Sequence, residues 1–538
     1  MSSSIGSSNS SGGGAGRQTP TQQGQTSDGE LDRASCVGCG SSVVSGDSSA
    51  AGRSHFAGVV PAHPLPVLYH QDLRGHCTRL HGTLEVHQEG PERVHNIFLK
   101  LFEEGVRGNH VLPLVYDHDV PLATREQLLM VHDAAYVDFL EGLCVRYNRD
   151  GEDVPSDQEV LRFSPLVVSR LFSEEEQRRF FGRNKHLTSA TRFSQGSFKA
   201  AMRAAGSVVR AVEIVLGNKY IQKRCFCLVR PPGHHAGPRG YDPVAGGCGF
   251  CIVNNVCVGV AEALRMHPGC RIAIVDLDVH HGNGTQTIVQ ERFAHSPVIY
   301  CSIHLHETFP GEPDMDFFPG TGAEQDDLRF LNIPLAPLWN KNGDDSDTEM
   351  VVSGPGSPNS AGASSGSGET KRGRTRTGFE RGNGPHADNN NNNNNAMKTD
   401  KDDGISGSAS AQNDDQRFAF PQPKSSKRGR AAWRRAVEQR ILPRLKTFQP
   451  DLLFISAGFD GSFEDEGCSY ENVSGLDLTE SDFAWATEML VDHSGVDRVV
   501  SVLEGGYGRW MACLDMYETS SLTSCVLAHI AALVEKAK

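Results

Sequence analysis

Five short runs of apolar residues, rich in valine and isoleucine, constrain the fold of this chain more than any other feature of its sequence. Near-continuous hydrophobicity over so few residues predicts strands that are buried on both faces, as in a parallel sheet. The predicted strands are CFCLVR at 225–230, RIAIVDLDV at 271–279, VIYCSIHL at 298–305, LLFISAG at 452–458 and RVVSVLEGG at 498–506.

Stretches with apolar residues at helical spacing lie before and between these runs. The predicted helices cover 123–140, 197–216, 254–266, 431–448, 479–493 and 520–536. Strand and helix therefore alternate along most of the ordered sequence. This alternation predicts an α/β fold, a three-layer α/β/α sandwich with a mainly parallel central sheet.

Two tracts of the 538-residue chain lack the apolar residues needed for a core. Residues 1–54 are rich in serine and glycine, and residues 341–423 include seven consecutive asparagines, Asn389 to Asn395. Such composition predicts disorder, because too little apolar surface can be buried to offset the entropy of ordering. We expect a disordered tail at 1–54 and one domain over 55–538, interrupted by a disordered insertion at about 341–423.

The formal net charge of −14 argues against a nucleic-acid-binding core, which needs a surplus of lysine and arginine to neutralise phosphates. An acidic surface suits a basic protein tail, and solubility alone is an equally good explanation of the charge. No apolar run is long enough to span a bilayer, and residues 1–15 lack the basic-then-apolar pattern of a secretion signal. The sequence predicts a protein of the nucleus or cytoplasm that does not contact membranes.

Ionisable side chains follow the predicted strands, at the edge of the sheet where open α/β folds bind ligands. They lie in RPPGHHA with His234 and His235, DLDVHHGNGT with Asp276, Asp278, His280 and Asn283, SAGFD with Asp460, and LEGGYG with Tyr507. A single Asp or His at a strand end is usually a hydrogen-bonded structural residue. All four segments together indicate a metal site, because buried charges need partners or a metal.

Asp278 and His280 are two residues apart, so on a strand they would project to the same side. With Asp460 they make a three-ligand set that leaves one position open on zinc, which is the pattern of a catalytic site. A structural zinc is closed by four ligands, usually cysteines, and the sequence offers no such cluster. We therefore expect one catalytic Zn²⁺.

Six segments, in this order, resemble the signature segments of the zinc-dependent histone deacetylases: RPPGHHA, GFCIVNN, DLDVHHGNGT, FPGTG, SAGFD and LEGGYG. The similarity covers roughly residues 61–340 and 424–538. Asn283 is similar to the class II branch, since class I members have an Asp at that place. The resemblance implies the arginase/deacetylase fold, with one zinc at the base of a narrow tunnel.

The resemblance also implies a role for each of eight side chains. It gives the zinc ligands as Asp278, His280 and Asp460, and the catalytic residues as His234, His235, Tyr507, Asp276 and Asn283. In this scheme His235 is the general base that activates the attacking water, His234 supports proton transfer, and Tyr507 donates to the oxyanion. His234 pairs with Asp276 and His235 with Asn283. Because a neutral amide favours an imidazolium less than a carboxylate does, we expect His235 to stay neutral.

By the same resemblance, Gly249, Phe250 and Phe318 line the tunnel, where aromatic walls suit the aliphatic stem of acetyl-lysine. Ordinary core packing is the alternative interpretation of the two phenylalanines. Ser302 and Ile303, together with Asp276 and Asp278, correspond to a backbone site for K⁺ in the family.

The sequence departs from the family at the tunnel rim. Many members place an Asp there to hold the substrate backbone, and no acid lies between Phe181 and Ser197. Beside Asp460, the acidic residues Glu464, Asp465 and Glu466 would favour a cationic substrate or simply be solvated. The missing acid leaves open whether the substrate is a peptide.

The resemblance implies a zinc-dependent amidohydrolase that removes acetyl groups from acetyl-lysine of histones or other proteins. Its expected setting is chromatin and transcription regulation, with acetylated histone tails as substrates and corepressor-type proteins as partners. The alternatives are an acetylpolyamine or other small-molecule amidohydrolase, and a catalytically silent deacetylase-like recruitment module. A two-metal arginase-like hydrolase is disfavoured, because His234 and His235 lie where a second metal would need carboxylates.

Overall fold

The computed structural model describes residues 63–79, 86–107, 114–117, 120–149, 160–181, 190–309, 312–339, 427–470 and 473–534. All of these residues belong to one compact unit. The predicted tail at 1–54 and the predicted insertion at 341–423 lie outside the described residues, so both stay predictions.

The described strands number seventeen, and most of the longer ones coincide with the apolar runs. In chain order they are β1 (Leu65–Leu68), β2 (Leu114–Asp117), β3 (Leu161–Arg162), β4 (Arg192–Phe193), β5 (Arg224–Cys227), β6 (Ile272–Asp276), β7 (Val298–Leu305), β8 (Thr308–Phe309), β9 (Glu312–Asp316), β10 (Gln325–Asp326), β11 (Phe330–Leu335), β12 (Leu452–Ala457), β13 (Ser469–Tyr470), β14 (Val473–Ser474), β15 (Val499–Leu503), β16 (Arg509–Met511) and β17 (Met516–Glu518).

Twelve α-helices accompany the strands among the described residues. They are α1 (Glu92–Arg107), α2 (Arg125–Leu129), α3 (Ala134–Arg149), α4 (Pro165–Val168), α5 (Glu174–Glu176), α6 (Ser197–Leu216), α7 (Asn255–Met266), α8 (Asn283–Glu291), α9 (Lys427–Ala436), α10 (Leu442–Phe448), α11 (Glu480–Asp492) and α12 (Ser520–Leu533). A π-helical turn, Val437–Ile441, joins α9 to α10.

A nine-stranded sheet in the order β10-β11-β7-β6-β12-β15-β5-β1-β2 lies at the centre. Its neighbouring strands are parallel throughout, except for the antiparallel edge pair β10 and β11. Every residue of β6, β7, β12 and β15 is buried, so helices must cover both faces of the sheet. The predicted α/β/α class with a mainly parallel sheet is confirmed.

Two boundaries differ from the sequence prediction in ways that shape the functional site. The strand predicted at 271–279 ends at Asp276, because the Asp276 carboxylate accepts the N–H of Asp278 at 3.2 Å and turns the chain out of the ladder. The helix predicted at 123–140 is divided into α2 and α3. By contrast, α6 has the predicted bounds, and β7 coincides with the run at 298–305.

Candidate metal and catalytic site

Four neighbouring strands deliver the candidate residues to one edge of the sheet. β6 precedes Asp278 and His280, β12 precedes Asp460, and β15 precedes Tyr507. β5, which lies next to β15, leads to the adjacent histidines at 234 and 235. Because these strands are parallel, their carboxyl ends meet at the same edge, and the predicted residues come together there.

Asp278, His280 and Asp460 form a compact cluster, with ligand atoms that all lie within 4.8 Å of one another. His280 Nδ1 is 2.9 Å from Asp460 Oδ2 and 3.1 Å from Asp278 Oδ1. Asp278 and His280 do not converge by strand alternation, as the spacing argument supposed. They lie in the bend after β6, where the His280 N–H donates to Asp278 Oδ1 at 2.9 Å.

The cluster fits a zinc ion on the chemistry of its donors. Asp278 and Asp460 are both fully buried, and two buried carboxylates side by side need a cation between them. Gly505 keeps that space open, because a Cβ at this position would lie 2.5 Å from Oδ2 of both carboxylates. Two carboxylates and one imidazole leave a fourth position free, as in catalytic zinc sites.

The adjacent imidazoles of His234 and His235, whose ring centroids are 3.9 Å apart, have different partners. His234 Nδ1 lies 3.1 Å from Asp276 Oδ2, which also accepts the Tyr300 hydroxyl at 3.0 Å. His235 Nδ1 lies 2.8 Å from Asn283 Oδ1. Both pairs have the arrangement that the resemblance implied.

These partners separate the pKa values of the two histidines. Burial lowers the pKa of His234, but the carboxylates of Asp278 and Asp276 outweigh burial and raise that pKa to about 10. Burial, followed by the positive charges of His234 and His280, holds the pKa of His235 well below its ordinary value. The carboxylates thus favour the protonated form of His234, whereas burial favours the neutral form of His235, which can accept a proton.

The Tyr507 side chain is buried and lines the same cavity as His235 and His280. Its ring packs edge-on against Phe250, with centroids 5.4 Å apart, and the Arg93 guanidinium lies 4.8 Å from the ring centroid. Burial raises the pKa of Tyr507 well above its ordinary value. The phenol therefore keeps its proton and can donate a hydrogen bond.

A cavity of about 360 Å³ leads to this cluster, lined by Gly249, Phe250, Phe318, His235, His280 and Tyr507 among others. The Phe318 ring packs edge-on against His235, with centroids 4.9 Å apart. Gly249 has a φ of +45°, and a Cβ at that position would overlap the His235 ring. The structure thus brings the three predicted tunnel residues to one cavity, beside the predicted base and ligands.

The family described as the histone deacetylase domain matches residues 87–518. This chain belongs to the histone deacetylase family. The type-2 histone deacetylase 2 of Dictyostelium discoideum is 28% identical over 460 residues, covering 85% of this chain and 20% of that protein. Histone deacetylase 6 of Caenorhabditis elegans is 26% identical, covering 78% of this chain and 30% of that protein. The chain thus spans less than a third of either relative.

An acetylpolyamine amidohydrolase from Mycoplana ramosa also matches, at 33% identity over 220 residues, covering 39% of this chain and 59% of that protein. A crystal structure of the HDA15 HD domain matches with a TM-score of 0.52 and 22% sequence identity, covering 88% of this chain and 90% of that chain. At this identity the structural match supports the deacetylase fold alone. Among the residues that the structure describes, no helix is long and apolar enough to cross a membrane.

Three acids that follow Asp460 have three different environments. Glu464 forms an ion pair with Arg509 at 2.8 Å. Asp465 is buried and accepts N–H donors from Gly467, Tyr507 and Gly508. Glu466 lines the tunnel cavity. Residues 182–189 of the rim segment lie outside the described part, and Ala190 and Thr191 contribute no acid to the cavity wall.

Arg93 is a functional-site residue that the sequence did not indicate. Its guanidinium donates from Nε to the Gly506 carbonyl at 2.5 Å and from Nη2 to the Glu504 carbonyl at 2.7 Å. It therefore braces the turn before Tyr507 from more than four hundred residues away in sequence. Charge and spacing carry no signal for such a contact, which depends on the tertiary fold.

Residues predicted to bind K⁺ lie on two neighbouring strands. Asp276 of β6 pairs in register with Ser302 of β7, and Ile303 follows. K⁺ binding at this place stays a prediction.

Proposed function

We propose that this chain is a zinc-dependent hydrolase that removes acetyl groups from acetyl-lysine of histones or other proteins. One observation carries the proposal. A cluster of three ligand side chains lies at a cavity walled by Phe250 and Phe318, and His235 and Tyr507 line the same cavity. The aromatic walls suit the four-carbon stem of acetyl-lysine, and the cluster suits its polar end.

We assign the roles as follows. Asp278, His280 and Asp460 would hold Zn²⁺, which supplies Lewis acidity toward the acetyl carbonyl and the attacking water. His235, neutral and hydrogen-bonded to Asn283, takes the proton of that water at Nε2. His234, whose Nδ1 is bound by Asp276 Oδ2, assists proton transfer to the leaving lysine amine.

Tyr507 completes the set by donating its hydroxyl to the oxygen that develops negative charge. Its high pKa keeps the proton on the phenol throughout the working pH range. Arg93 and Asp465 hold the backbone on either side of Tyr507, so the hydroxyl is directed without rearrangement.

Glu466 favours a second candidate, an N-acetylated polyamine. The carboxylate lines the tunnel cavity, where it could pair with the charged second amine of such a substrate. The acetylpolyamine amidohydrolase among the relatives is in keeping with this possibility. We place it second, because the single carboxylate is exposed to solvent and therefore strongly screened.

We extend the proposal to the setting of the enzyme. The substrates would be acetylated tails, such as those of histones, in the nucleus or cytoplasm, with corepressor-type proteins as partners. The tail at 1–54 and the insertion at about 341–423 would flank and interrupt one deacetylase domain.

The test is acetate release by the purified full chain, loaded with one equivalent of Zn²⁺. Acetyl-lysine peptides and N-acetylated polyamines would be compared at equal concentration. We expect the higher kcat/KM on peptides, and in Tyr507→Phe a turnover lower by ~10²–10³ with zinc retained.

A preference for acetylpolyamines would favour the second candidate. No acetate from any substrate, with full zinc and a cooperative melt, would leave the recruitment module as the better explanation. Two tightly bound metals per chain would instead indicate an arginase-like site.

A further inference from the structure

A second cavity, of about 460 Å³, lies behind the predicted general base. Asp242, Asn283 and His235 all line it, and His235 also lines the tunnel cavity. His235 is therefore part of the wall between the two cavities. The loop at 236–249, which follows the histidine pair, supplies much of the lining of the second cavity.

A chain of hydrogen bonds runs from this loop to His235. Asn283 Nδ2 donates to Asp242 Oδ2 at 2.7 Å, and Asn283 Oδ1 lies 2.8 Å from His235 Nδ1. The other oxygen of Asp242 belongs to the loop itself, since it accepts the N–H of Val244 at 2.8 Å and of Ala245 at 3.3 Å. One oxygen of Asp242 therefore binds Asn283, and the other binds the backbone of the loop.

The direction of this chain follows from the chemistry of the groups. An amide side chain can present either its oxygen or its nitrogen to a histidine, and its shape does not decide between them. A carboxylate only accepts, so Asp242 holds the NH₂ group of Asn283 on its own side. The amide oxygen must then face His235, which binds it through a protonated Nδ1.

This arrangement sets the tautomer of the base. A neutral imidazole that carries its proton on Nδ1 has its lone pair on Nε2. Reversal of the Asn283 amide would put the proton on Nε2 and leave no acceptor for the attacking water. In a general-base site the wrong tautomer abolishes most of the activity.

We propose that Asp242 is a positioning residue that fixes the tautomer of His235 through the side chain of Asn283. The catalytic role of the tautomer rests on the proposed function, whereas the tautomer itself follows from the hydrogen bonds alone. Asp242 lines the second cavity and not the tunnel cavity, and it acts through its hydrogen bond to Asn283.

The decisive variant is Asp242→Asn, which keeps the size of the side chain. Its amide oxygen can still accept the N–H groups of Val244 and Ala245, so the loop keeps its hydrogen bonds. Its NH₂ group then faces the NH₂ group of Asn283 and forces that amide to turn. We expect kcat to fall by about 10-fold or more, with KM little changed, because a hydrogen bond to a charged group is lost and the tautomer is inverted.

A compensating exchange, Asp242→Asn with Asn283→Asp, restores every hydrogen bond with the partners reversed. The new amide donates to the new carboxylate, which accepts from His235 Nδ1. We expect this double variant to recover most of the lost kcat. If Asp242 had a purely structural role, Asp242→Asn would have nearly wild-type kcat, and the double variant would have a kcat no higher than that of Asp242→Asn.

The matched control is Asp133→Asn, which removes the same charge from the same cavity but pairs with Arg292 instead of Asn283. We expect its kcat to equal that of the wild type. A readout independent of any substrate is the ¹⁵N spectrum of the histidine rings in zinc-loaded protein, with the His235 signals assigned by their loss in His235→Gln. In Asp242→Asn, the protonated and unprotonated ring nitrogens of His235 should exchange places.

Wild-type kcat together with an unchanged ¹⁵N pattern in Asp242→Asn would overturn the inference, as would an exchange variant that recovers nothing. Loss of the cooperative melt in Asp242→Asn would also contradict it, because the loop hydrogen bonds should survive. If the wild-type chain hydrolyses no acetyl amide but the ¹⁵N pattern responds as expected, the proposed function fails and the positioning role of Asp242 stands.

Discussion

The carboxylate of Asp465 holds the backbone of Tyr507. Its Oδ2 accepts the N–H of Tyr507 at 2.8 Å and that of Gly508 at 2.7 Å, while its Oδ1 accepts the N–H of Gly467 at 2.9 Å. One buried side chain therefore ties the segment after Asp460 to the turn that carries the phenol.

Asp465→Asn should lower kcat while leaving zinc content and KM nearly unchanged. The asparagine has one oxygen for three N–H donors, so at least one donor becomes unsatisfied and the turn at Tyr507 loosens. A loss of about 10-fold in kcat corresponds to one ordinary hydrogen bond, as expected for a carboxyl group whose pKa is raised by burial to about 8. Steady-state kinetics and metal analysis check this, with Glu464→Gln as the control in the same segment. An unchanged kcat in Asp465→Asn would show that Tyr507 is held by other contacts.

The limits of the sequence are visible in these same residues. The apolar run at 298–305 predicted β7, because a strand buried on both faces is apolar throughout. The helical spacing of apolar residues predicted α6, because one face of this helix is buried. The strand predicted at 271–279 was too long, because the end of β6 depends on how the Asp276 side chain bonds to the backbone. Composition does not encode that choice.

The sequence predicted the candidate-site residues that lie within recognisable motifs, but not those that lie outside them. The contacts of His234 with Asp276 and of His235 with Asn283 lie between motif residues, and the resemblance implied both. Arg93 reaches Gly506 across 413 positions, and the reach of Asp242 to Asn283 depends on a loop conformation. Such contacts follow from the tertiary fold, which no local pattern specifies.

Asp460→Asn should remove most of the bound zinc and nearly all activity. The asparagine oxygen can still accept the N–H of Val279, which Asp460 Oδ1 accepts at 2.9 Å, so the fold should persist. Its NH₂ group would then face the metal position, where a donor cannot bind a cation. Zinc per chain and turnover are the measurements, with the surface variant Asp451→Asn as control. Full zinc with normal turnover would exclude Asp460 as a ligand.

Glu466→Gln should separate cationic from neutral substrates. Loss of the carboxylate should lower kcat/KM for an N-acetylated polyamine by about fivefold, the effect of one solvent-screened charge pair, and leave a neutral acetyl-lysine peptide unaffected. Because partial burial raises the pKa of Glu466, the assay belongs at pH 8, where the carboxyl group is ionised. Equal effects on both substrates would mean that Glu466 shapes the tunnel instead of recognising charge.

Glu89 should make the fold sensitive to acid. It is fully buried and contacts Arg230 at 2.9 Å, His76 at 3.1 Å and Arg93 at 3.3 Å. Burial alone would raise the pKa of Glu89, but Arg230 and His76 outweigh burial and hold it well below the ordinary value of 4.5. A depressed pKa contributes stability above pH 4.5, and that contribution is lost as the pH falls below this value.

Glu89→Gln should therefore cost on the order of 3 kcal/mol at pH 7, because it leaves Arg230 and Arg93 buried without their shared counter-charge. The difference in Tm between wild type and variant should shrink steadily from pH 5 downward. Loss of metal at low pH affects both proteins and cancels in this difference. Glu324→Gln, which removes a half-exposed partner of Arg440, should show almost no difference at any pH. If the difference in Tm between wild type and Glu89→Gln were the same at every pH, packing and not charge would explain the effect of the substitution.

Deletion of residues 341–423, with a short Gly/Ser linker between the flanks, tests the proposed domain organisation. The tract has few apolar residues and no candidate ligand, so turnover of a small acetylated peptide should be nearly unchanged. The deletion removes the basic cluster KRGRTR at 371–376 and leaves KSSKRGR at 424–430. In the structure, α9 already begins at Lys427, and Arg430 is bound to Asp482 at 2.6 Å.

Because Asp482 holds Arg430 on a helix, the remaining cluster is poorly suited to an import receptor, and nuclear import should depend on 371–376. We therefore expect the deletion to shift the protein toward the cytoplasm, and the charge-neutral substitution of 371–376 in the full chain to do the same. The measurements are peptide turnover, zinc content, the melting curve and the nuclear fraction of a tagged chain. Loss of turnover with full zinc and a cooperative melt would show that the tract contributes to the rim of the active site, because the metal cluster and the core would then both be intact.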